Sequence, residues 1–170
     1  MDLKLWIRDV PDYPKPGILF RDLTPLLASP TAFRFAVDSI AEQYRGRDLD
    51  AVAAIDARGF LFGGPVSLSL GLPLVPFRKP DKLPPEVVGV DFELEYGSTR
   101  MEVRVNALEP GMRVLIVDDL LATGGTAAAA AQLVERLGAS VGSISFVVEL
   151  TDLNGRAALE QYEVTSLVQY

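Results

Sequence analysis

The stretch at residues 114–137 restricts the fold more than any other part of the chain. Residues 114–117 are all apolar, and a run of this length suits a strand that is buried on both faces. Asp118 and Asp119 follow at its carboxyl end, and residues 122–126 form a loop of small residues with two adjacent glycines. The next segment begins with five alanines and contains strong helix formers. The stretch therefore predicts a buried strand, an acidic strand end, a glycine loop and a helix in succession.

The loop after Asp119 has the composition of an anion site. Glycines let the backbone approach a bulky phosphate closely, and the start of the next helix offers unpaired N–H groups and the positive end of the helix dipole. Thr123 and Thr126 add hydroxyl groups. Asp118 and Asp119 cannot bind a phosphate, but their oxygens can accept hydrogen bonds from sugar hydroxyls. The residues therefore predict a ribose 5-phosphate ligand, and the alternative is an ordinary turn with solvated acids.

Composition excludes several kinds of function. The chain has 170 residues, of which 49% are hydrophobic, and a net charge of −7, which suits one globular domain over residues 1–170. An acidic chain repels a nucleic-acid backbone, so we expect no nucleic-acid partner. The chain lacks cysteine and histidine, which removes thiolate chemistry and the most usual general base. Catalysis would have to use carboxylates, Lys, Tyr, Arg, backbone dipoles or a hard cation such as Mg²⁺.

The sequence does not predict an association with membranes. The first nine residues carry charges throughout and lack an apolar stretch of signal-peptide length. No segment approaches the roughly 18 consecutive apolar residues of a membrane span. We therefore expect a cytoplasmic protein without a membrane partner.

Strand and helix patterns alternate along the rest of the chain. They predict strands at residues 51–55, 74–77, 141–150 and 164–168, and helices at residues 2–9, 60–70 and 154–161 and from Ser29 onward. Residues 81–104 partly alternate, with Gly97 and Ser98 midway, and predict a two-stranded flap. Alternating strands and helices predict a mainly parallel sheet flanked by helices, with ligands beyond the carboxyl ends of its strands.

The string at residues 114–126 resembles the motif that binds 5-phosphoribosyl 1-pyrophosphate (PRPP) in the type I phosphoribosyltransferases. In that family a hydrophobic run precedes two acids, two apolar residues, a small residue and Thr-Gly-Gly-Thr. The resemblance implies that Asp118 and Asp119 hold O2 and O3 of the ribose. It also implies a group of residues that hold the 5-phosphate: Ala122, Thr123, Gly124, Gly125 and Thr126.

Residues 56–60, Asp-Ala-Arg-Gly-Phe, are similar to the pyrophosphate loop of the adenine-specific members of that family. The resemblance implies that Arg58 binds PRPP and assists catalysis, and that the peptide between Asp56 and Ala57 is cis. An exposed arginine at a helix start is the alternative.

Residues 78–84 carry three cations and are also similar to the adenine-specific enzymes. Lys79 is expected to reach the pyrophosphate, across a dimer interface. Asp81 stands where the family commonly has glycine, which makes a positive φ less expected at this position.

The tip of the flap, residues 95–97, is similar to a Glu-Tyr-Gly motif of the adenine-specific enzymes. The resemblance implies that Glu95 contacts N7 of the purine and that Tyr96 belongs to a lid that closes over PRPP. A shielded carboxylate can accept the proton that adenine loses when it reacts through N9. An ordinary hairpin turn is the alternative.

Residues 16–22, Pro-Gly-Ile-Leu-Phe-Arg-Asp, are similar to the segment of the same enzymes that selects the base. The resemblance implies that backbone groups of Leu19 and Arg21 match the edge of adenine and that Phe20 stacks on its ring. Packing of Leu19 and Phe20 in the core is the alternative.

The resemblance extends from residue 11 to residue 170 and implies a type I phosphoribosyltransferase fold. This fold has a mainly parallel twisted sheet flanked by helices, a small hood at about residues 1–28 and a two-stranded flexible flap at about residues 81–104. The implied reaction transfers the phosphoribosyl group of PRPP to adenine, giving AMP and pyrophosphate in purine salvage. The family also implies a homodimer and Mg²⁺ held mainly by PRPP and water. A reaction with hypoxanthine, xanthine or orotate, and a non-catalytic regulator that binds PRPP, remain alternatives.

Overall fold

A five-stranded parallel sheet with helices on both faces is the centre of the computed structural model, which describes residues 1–94 and 97–170. The strands are β1 (Arg8–Pro11), β2 (Leu19–Asp22), β3 (Ala51–Ile55), β4 (Leu74–Phe77), β5 (Val87–Leu94), β6 (Gly97–Arg104), β7 (Arg113–Leu121), β8 (Ser140–Glu149) and β9 (Val164–Gln169). The α-helices are α1 (Thr24–Ala28), α2 (Pro30–Tyr44), α3 (Gly59–Leu70) and α4 (Gly125–Arg136). Short 3₁₀ helices span Leu3–Trp6, Thr151–Leu153 and Gly155–Leu159.

The central sheet has the strand order β4-β3-β7-β8-β9, and neighbouring strands run parallel. Side chains alternate across it, so that Ala53 and Ile55 of β3 belong to the core beneath α4. Val52 lies on the opposite face, in the core that includes α2 and α3. Because both of its faces are buried, β3 is a continuous apolar run. The predicted class, a mainly parallel sheet flanked by helices, is confirmed.

Strand β7 is longer than the sequence indicated. We expected it to end at residue 117, but it continues through Asp118 and Asp119 to Leu121. Its two neighbours explain the difference, because β3 pairs with it only as far as Val117, whereas β8 pairs with it up to Leu121. The acids therefore lie on a strand that is supported on one side and open on the other.

The N-terminal segment differs from the predicted helix at residues 2–9. Only Leu3–Trp6 form a 3₁₀ helix, and the chain then enters β1, which pairs antiparallel with β2 from Arg8↔Asp22 to Pro11↔Leu19. The partner strand lies about ten residues further along the chain, so a local helical pattern could not reveal it. This hairpin, together with α1, forms the hood expected at residues 1–28.

The flap is present as the antiparallel pair β5 and β6. Gly97 and Ser98 were expected between the two strands of the flap, and this was wrong. Both lie in β6, where they pair with Leu94 and Glu93. The base of the flap packs on the core beside α4 through the buried side chains of Val90, Met101 and Val103. The flap is therefore attached firmly at its base, and the tip predicted at residues 95–97 is described only at Gly97.

The C-terminal region replaces the predicted helix at residues 154–161 with two short 3₁₀ helices, Thr151–Leu153 and Gly155–Leu159. Asn154 separates them with a φ of 50°, in the left-handed region, and an α-helix cannot continue through such a residue. In the described parts of the chain, no helix has both the length and the apolar character that crossing a membrane requires.

Candidate functional site

A cleft of about 510 Å³ opens beyond the carboxyl ends of β3 and β7. The chain leaves β3 through α3 to reach β4 on one side, and it leaves β7 through α4 to reach β8 on the other. Connections that diverge in this way leave a crevice, and ligands bind in such crevices in parallel sheets. The cleft is lined by the ends of these two strands, the segment after β4, and the flap.

The loop between β7 and α4 forms a small hollow at one end of the cleft. The hollow measures about 60 Å³, and its lining includes Ala122, Thr123, Gly124 and Thr126. Gly124 has a φ of 86° and directly precedes α4, a conformation that favours glycine. Because α4 begins at Gly125, its first backbone N–H groups lack partners within the helix. The loop therefore offers hydrogen-bond donors, hydroxyls and a helix dipole to an anion.

Asp118 and Asp119 are both buried where β7 opens to the cleft. Asp118 Oδ1 accepts a hydrogen bond of 2.9 Å from the backbone N–H of Asp119. Burial, together with the charge of Asp119, raises the pKa of Asp118 well above its ordinary value. Burial also raises the pKa of Asp119, against the opposing effect of Arg58. Two buried neighbouring carboxylates favour a ligand that donates hydrogen bonds or carries positive charge.

Asp119 Oδ2 is buried and forms an ion pair with Arg58. Arg58 Nε lies 2.7 Å from Asp119 Oδ2, within reach of an ion pair, although the groups are not aligned for a hydrogen bond. Among the residues that the structure describes, Asp119 Oδ2 and Arg21 Nε are the buried side-chain polar atoms without a hydrogen-bond partner. A carboxylate oxygen has more than one acceptor position, so Asp119 Oδ2 can also accept a hydrogen bond from a ligand hydroxyl.

The segment between β3 and α3 forms the opposite wall of the cleft. The peptide between Asp56 and Ala57 is cis, as the resemblance implied. Gly59 brings this segment close to β7, since a Cβ at Gly59 would lie 2.8 Å from Asp118 Oδ1. Arg58 is about half exposed and projects into the cleft beside Asp119. It is therefore more than an exposed residue at a helix start.

Arg78 and Lys79 line the cleft directly after β4. Arg78 Nε donates a hydrogen bond of 2.9 Å to Asp56 Oδ2. Burial tends to raise the pKa of Asp56, but Arg78 and Lys79 together outweigh it and hold that pKa below its ordinary value. Lys79 lines the cleft of its own chain. Asp81 has a φ of 61°, so this aspartate does adopt the turn conformation that a glycine would favour.

The hood approaches the cleft through β2. Leu19 is 45% exposed and Phe20 is half-buried, so neither is an ordinary core residue. The Phe20 ring lies 5.7 Å from the Arg58 guanidinium carbon. Arg21 forms an ion pair with Asp9, and its guanidinium carbon lies 3.7 Å from the centre of the Tyr170 ring.

Two of the residues expected in the site, Glu95 and Tyr96, lie outside the described residues. Closer to the base of the flap, Phe92, Thr99 and Arg100 line the cleft, and the sequence did not single them out. No motif marks these three, because their position depends on how the flap is placed over the strand ends. Within residues 1–94 and 97–170, no cluster of three or more acids could hold a metal ion.

A larger groove of about 780 Å³ lies elsewhere, between residues 1–4 and β9. Its lining includes Asp2 and Lys4, but neither the glycine loop nor the strand-end acids contribute to it. Since chemistry depends on grouped polar side chains more than on volume, the smaller cleft is the better candidate.

Comparisons with known proteins agree with this geometry. Residues 26–168 match the phosphoribosyl transferase domain family. The adenine phosphoribosyltransferase of Thermosynechococcus vestitus is 54% identical over 170 residues, with 100% of both chains covered. The structure of adenine phosphoribosyltransferase from Thermoanaerobacter pseudethanolicus has 49% identity and a TM-score of 0.96, with 99% of this chain and 98% of that chain covered.

The enzyme from Saccharomyces cerevisiae has been solved with adenine and an imino-altritol bisphosphate. It is 41% identical and has a TM-score of 0.92, with 98% of this chain and 96% of that chain covered. Both the family match and these relatives extend over most of the chain. The protein therefore belongs to the adenine phosphoribosyltransferases, within the phosphoribosyl transferase family.

Proposed function

We propose that this protein transfers the 5-phosphoribosyl group of PRPP to adenine, giving AMP and pyrophosphate. The observation that carries the proposal is the position of Asp118 and Asp119 between the glycine loop and Arg58. This order matches the substrate, in which a diol lies between a phosphate ester and a pyrophosphate. The activity belongs to purine salvage.

The glycine loop would bind the 5-phosphate of PRPP. The backbone N–H groups of Thr123, Gly124 and Gly125 supply donors, and the Thr123 and Thr126 hydroxyls add two more. Ala122 completes the loop, and its small methyl side chain leaves the hollow open. Asp118 and Asp119 would then accept hydrogen bonds from O2 and O3 of the ribose, with Asp119 Oδ2, which accepts no hydrogen bond within the protein, as one acceptor.

The reaction breaks the bond between C1 of the ribose and the pyrophosphate oxygen, and the electron pair leaves with the pyrophosphate. Arg58 and Lys79 would stabilise the negative charge that develops on this leaving group. Positive charge develops on the ribose ring at the same time, and the neighbouring carboxylates would favour it. N9 of adenine forms the new bond to C1.

Adenine would bind between the hood and the flap. Phe20 would stack on the ring, and the backbone groups of Leu19 and Arg21 would match its hydrogen-bonding edge. We propose that Glu95 accepts the proton that the ring loses, while Tyr96 helps the flap to cover the site and exclude water.

Mg²⁺ would bind in this cleft mainly through the substrate and only to a small extent through protein groups. The two buried carboxylates are hard oxygen donors, but the described residues form no metal cage. Asp118 and Asp119 would hold the ion through ribose hydroxyls and water, and the ion would neutralise charge on the pyrophosphate.

We also propose a homodimer that forms through α3 and β4. Helix α3 has no charged residue, yet Leu61 and Leu68 on it are exposed, as is Leu74 on the edge strand β4. Exposed apolar side chains at a sheet edge suit self-association. Because PRPP is too highly charged to cross a membrane unaided, we propose that the enzyme acts in the cytoplasm, where its substrate is retained.

A turnover assay tests the proposed function. Purified protein is incubated with PRPP, Mg²⁺ and adenine, hypoxanthine, xanthine or orotate in turn, and nucleotide formation is followed by chromatography. We expect AMP from adenine and little product from the other bases. Product from another base alone would reassign the substrate, and PRPP binding without any product would indicate a regulator.

A further inference from the structure

Glu149 is a buried carboxylate to which the proposed reaction gives no role. It ends β8 and is only 4% exposed. Arg156 Nε and Nη2 donate hydrogen bonds of 2.6 and 2.8 Å to its two carboxylate oxygens. Ser166 and Gln169 of β9 donate two more to Oε2, at 2.6 and 3.1 Å. Four donors on one buried carboxylate fix the position of the side chains that provide them.

Arg156 connects this carboxylate to the 3₁₀ helix Gly155–Leu159. In addition to the bidentate pair, its Nη1 donates a hydrogen bond of 2.9 Å to the carbonyl oxygen of Val164. The helix is also held by Leu159, which is buried in the core beneath α4. Gly155 is the first residue of this helix. The ion pair of Arg156 and the buried side chain of Leu159 therefore hold Gly155 in place.

Gly155 packs backbone to backbone against the glycine loop. A Cβ at Gly155 would overlap the carbonyl oxygen of Ala122 and lie 2.9 Å from Leu121 Cδ1. In the opposite direction, a Cβ at Gly124 would overlap the carbonyl oxygen of Gly155 and lie 3.0 Å from Ala158 Cβ. Contacts this close leave the loop no room to move toward the 3₁₀ helix.

We infer that Glu149, Arg156 and Gly155 form a brace that holds the glycine loop in the shape that binds the 5-phosphate. The inference rests on the proposed function, because that function assigns the phosphate to this loop. Glu149 and Arg156 are positioning residues, since they act through Gly155 and do not line the hollow themselves. The brace acts on one end of the substrate and leaves the pyrophosphate end, near Arg58, unaffected.

Two half-substrates separate a positioning role from a general structural one. Ribose 5-phosphate carries the group that the loop binds, while pyrophosphate with Mg²⁺ occupies the other end of the cleft. For Arg156→Gln, we expect the Kd of ribose 5-phosphate to rise about 10- to 100-fold by calorimetry, because small displacements of binding groups have effects of this size. The Kd of pyrophosphate should stay within about twofold of wild type.

Arg47→Gln is the matched control. Arg47 also forms a two-oxygen contact, at 2.8 Å, with Glu163, and its removal changes the net charge by the same amount. Glu163 directly precedes β9, at the amino ends of the parallel strands and away from the loop. This variant should bind both half-substrates like wild type. If Arg47→Gln weakens the binding of ribose 5-phosphate as much as Arg156→Gln does, the inference is overturned.

Gly155→Ala tests the packing directly and leaves the ion pair in place. Its Cβ must displace the loop carbonyl of Ala122, so we expect the same selective loss of ribose 5-phosphate binding. Circular dichroism and urea unfolding establish that each variant is folded. Glu149→Gln, which keeps the shape of the side chain, replaces Arg156→Gln if that variant does not fold.

The brace has no positioning role if folded variants lose affinity equally for both half-substrates. The same holds if their affinity for ribose 5-phosphate is unchanged. A double variant, Glu149→Gln with Arg156→Gln, should lose no more affinity than Arg156→Gln alone, since the two residues act as one unit. If wild type makes AMP but the variants keep their affinity for ribose 5-phosphate, only this inference fails. If wild type binds no PRPP, the proposed function fails first.

Discussion

At the scale of single residues, the acids of β7 show how a binding site is built at the expense of stability. Asp118 and Asp119 are buried beside one another, and burial raises the pKa of each. A carboxylate whose pKa is raised on folding destabilises the folded protein as the pH rises above the unfolded value. The sequence identified both residues, but the ion pair between Asp119 and Arg58 depends on how two distant segments meet, which no local pattern contains.

Asp118→Asn should therefore stabilise the protein and impair its function. We expect the free energy of unfolding at pH 7 to rise by about 1–2 kcal/mol, since the substitution removes a buried charge and keeps the shape of the side chain. The affinity for PRPP should fall strongly, and more so with Asp119→Asn added. Urea unfolding and calorimetry measure the two effects. Wild-type PRPP affinity in the double variant would contradict the ribose assignment.

Glu149 should respond to pH in the opposite direction. The hydrogen bonds from Arg156, with those from Ser166 and Gln169, lower its pKa from 4.5 to about 2. A carboxylate with a lowered pKa stabilises the fold fully above its unfolded pKa, and this contribution is lost as the pH falls from 4.5 toward 2. Between pH 7 and pH 3 we expect a loss of about 1–2 kcal/mol from this residue.

The measurement is a pair of urea titrations at pH 7 and pH 3 for wild type and Glu149→Gln. The variant should be less stable than wild type at pH 7, and the difference should shrink at pH 3. A difference that is the same at both pH values would show that Glu149 is not held ionised by its partners.

At the scale of elements, apolar runs predicted the buried strands well, and they failed where pairing depends on distant partners. Residues 51–55 and 74–77 are strands with the predicted bounds: the first is buried throughout, and the second alternates between exposed and buried positions at the sheet edge. The extension of β7 past residue 117 depends on β8, and the hairpin of the hood depends on β2. Neither partner is visible in the local pattern of hydrophobicity.

Glu149 and Arg156 illustrate the same limit within the candidate site. In the sequence, Glu149 falls only within the strand predicted at residues 141–150, and Arg156 only within the helix predicted at residues 154–161. Their connection to the glycine loop appears only when Gly155 is placed against Ala122. Motifs reveal groups that touch a ligand, whereas groups that support them depend on the packing of the chain.

Glu95→Gln tests the role that we propose for the flap. We expect kcat to fall by about 10²- to 10⁴-fold, since a general base contributes an effect of this size, with little change in PRPP affinity. Stopped-flow or steady-state assays with adenine and calorimetry with PRPP measure the two quantities. Glu93→Gln, on strand β5, is the control for a change of charge. Unchanged turnover in Glu95→Gln would remove this residue from the mechanism.

At the scale of the whole molecule, one sheet connects the site to both cores. The two faces of β3 and β7 contribute to separate hydrophobic cores, one with α4 and one with α2 and α3. We propose that residues 1–170 act as one domain, because the hood, the flap and the loops all attach to this sheet. Its strand order also leaves β4 at an edge, beside the exposed apolar side chains of α3.

Leu68→Asp tests the proposed dimer. Leu68 is 84% exposed, so the substitution should not disturb the fold of one subunit, but a charge at the centre of an apolar interface should separate two subunits. Sedimentation velocity should show a dimer for wild type and a monomer for the variant. Leu5→Asp is the control, because Leu5 is 82% exposed and lies on the N-terminal 3₁₀ helix. A wild-type monomer would refute the dimer.

The contact between Gly155 and the loop at residues 122–124 also bears on how the protein matures during translation. A nascent chain that has emerged only through α4 already contains the phosphate loop, both acids and Arg58, but not the segment that keeps the loop in place. Competence to capture substrate should therefore arise late, after the ribosome has released the region around β9. A partly synthesised chain would then neither sequester PRPP nor compete with finished enzyme for it.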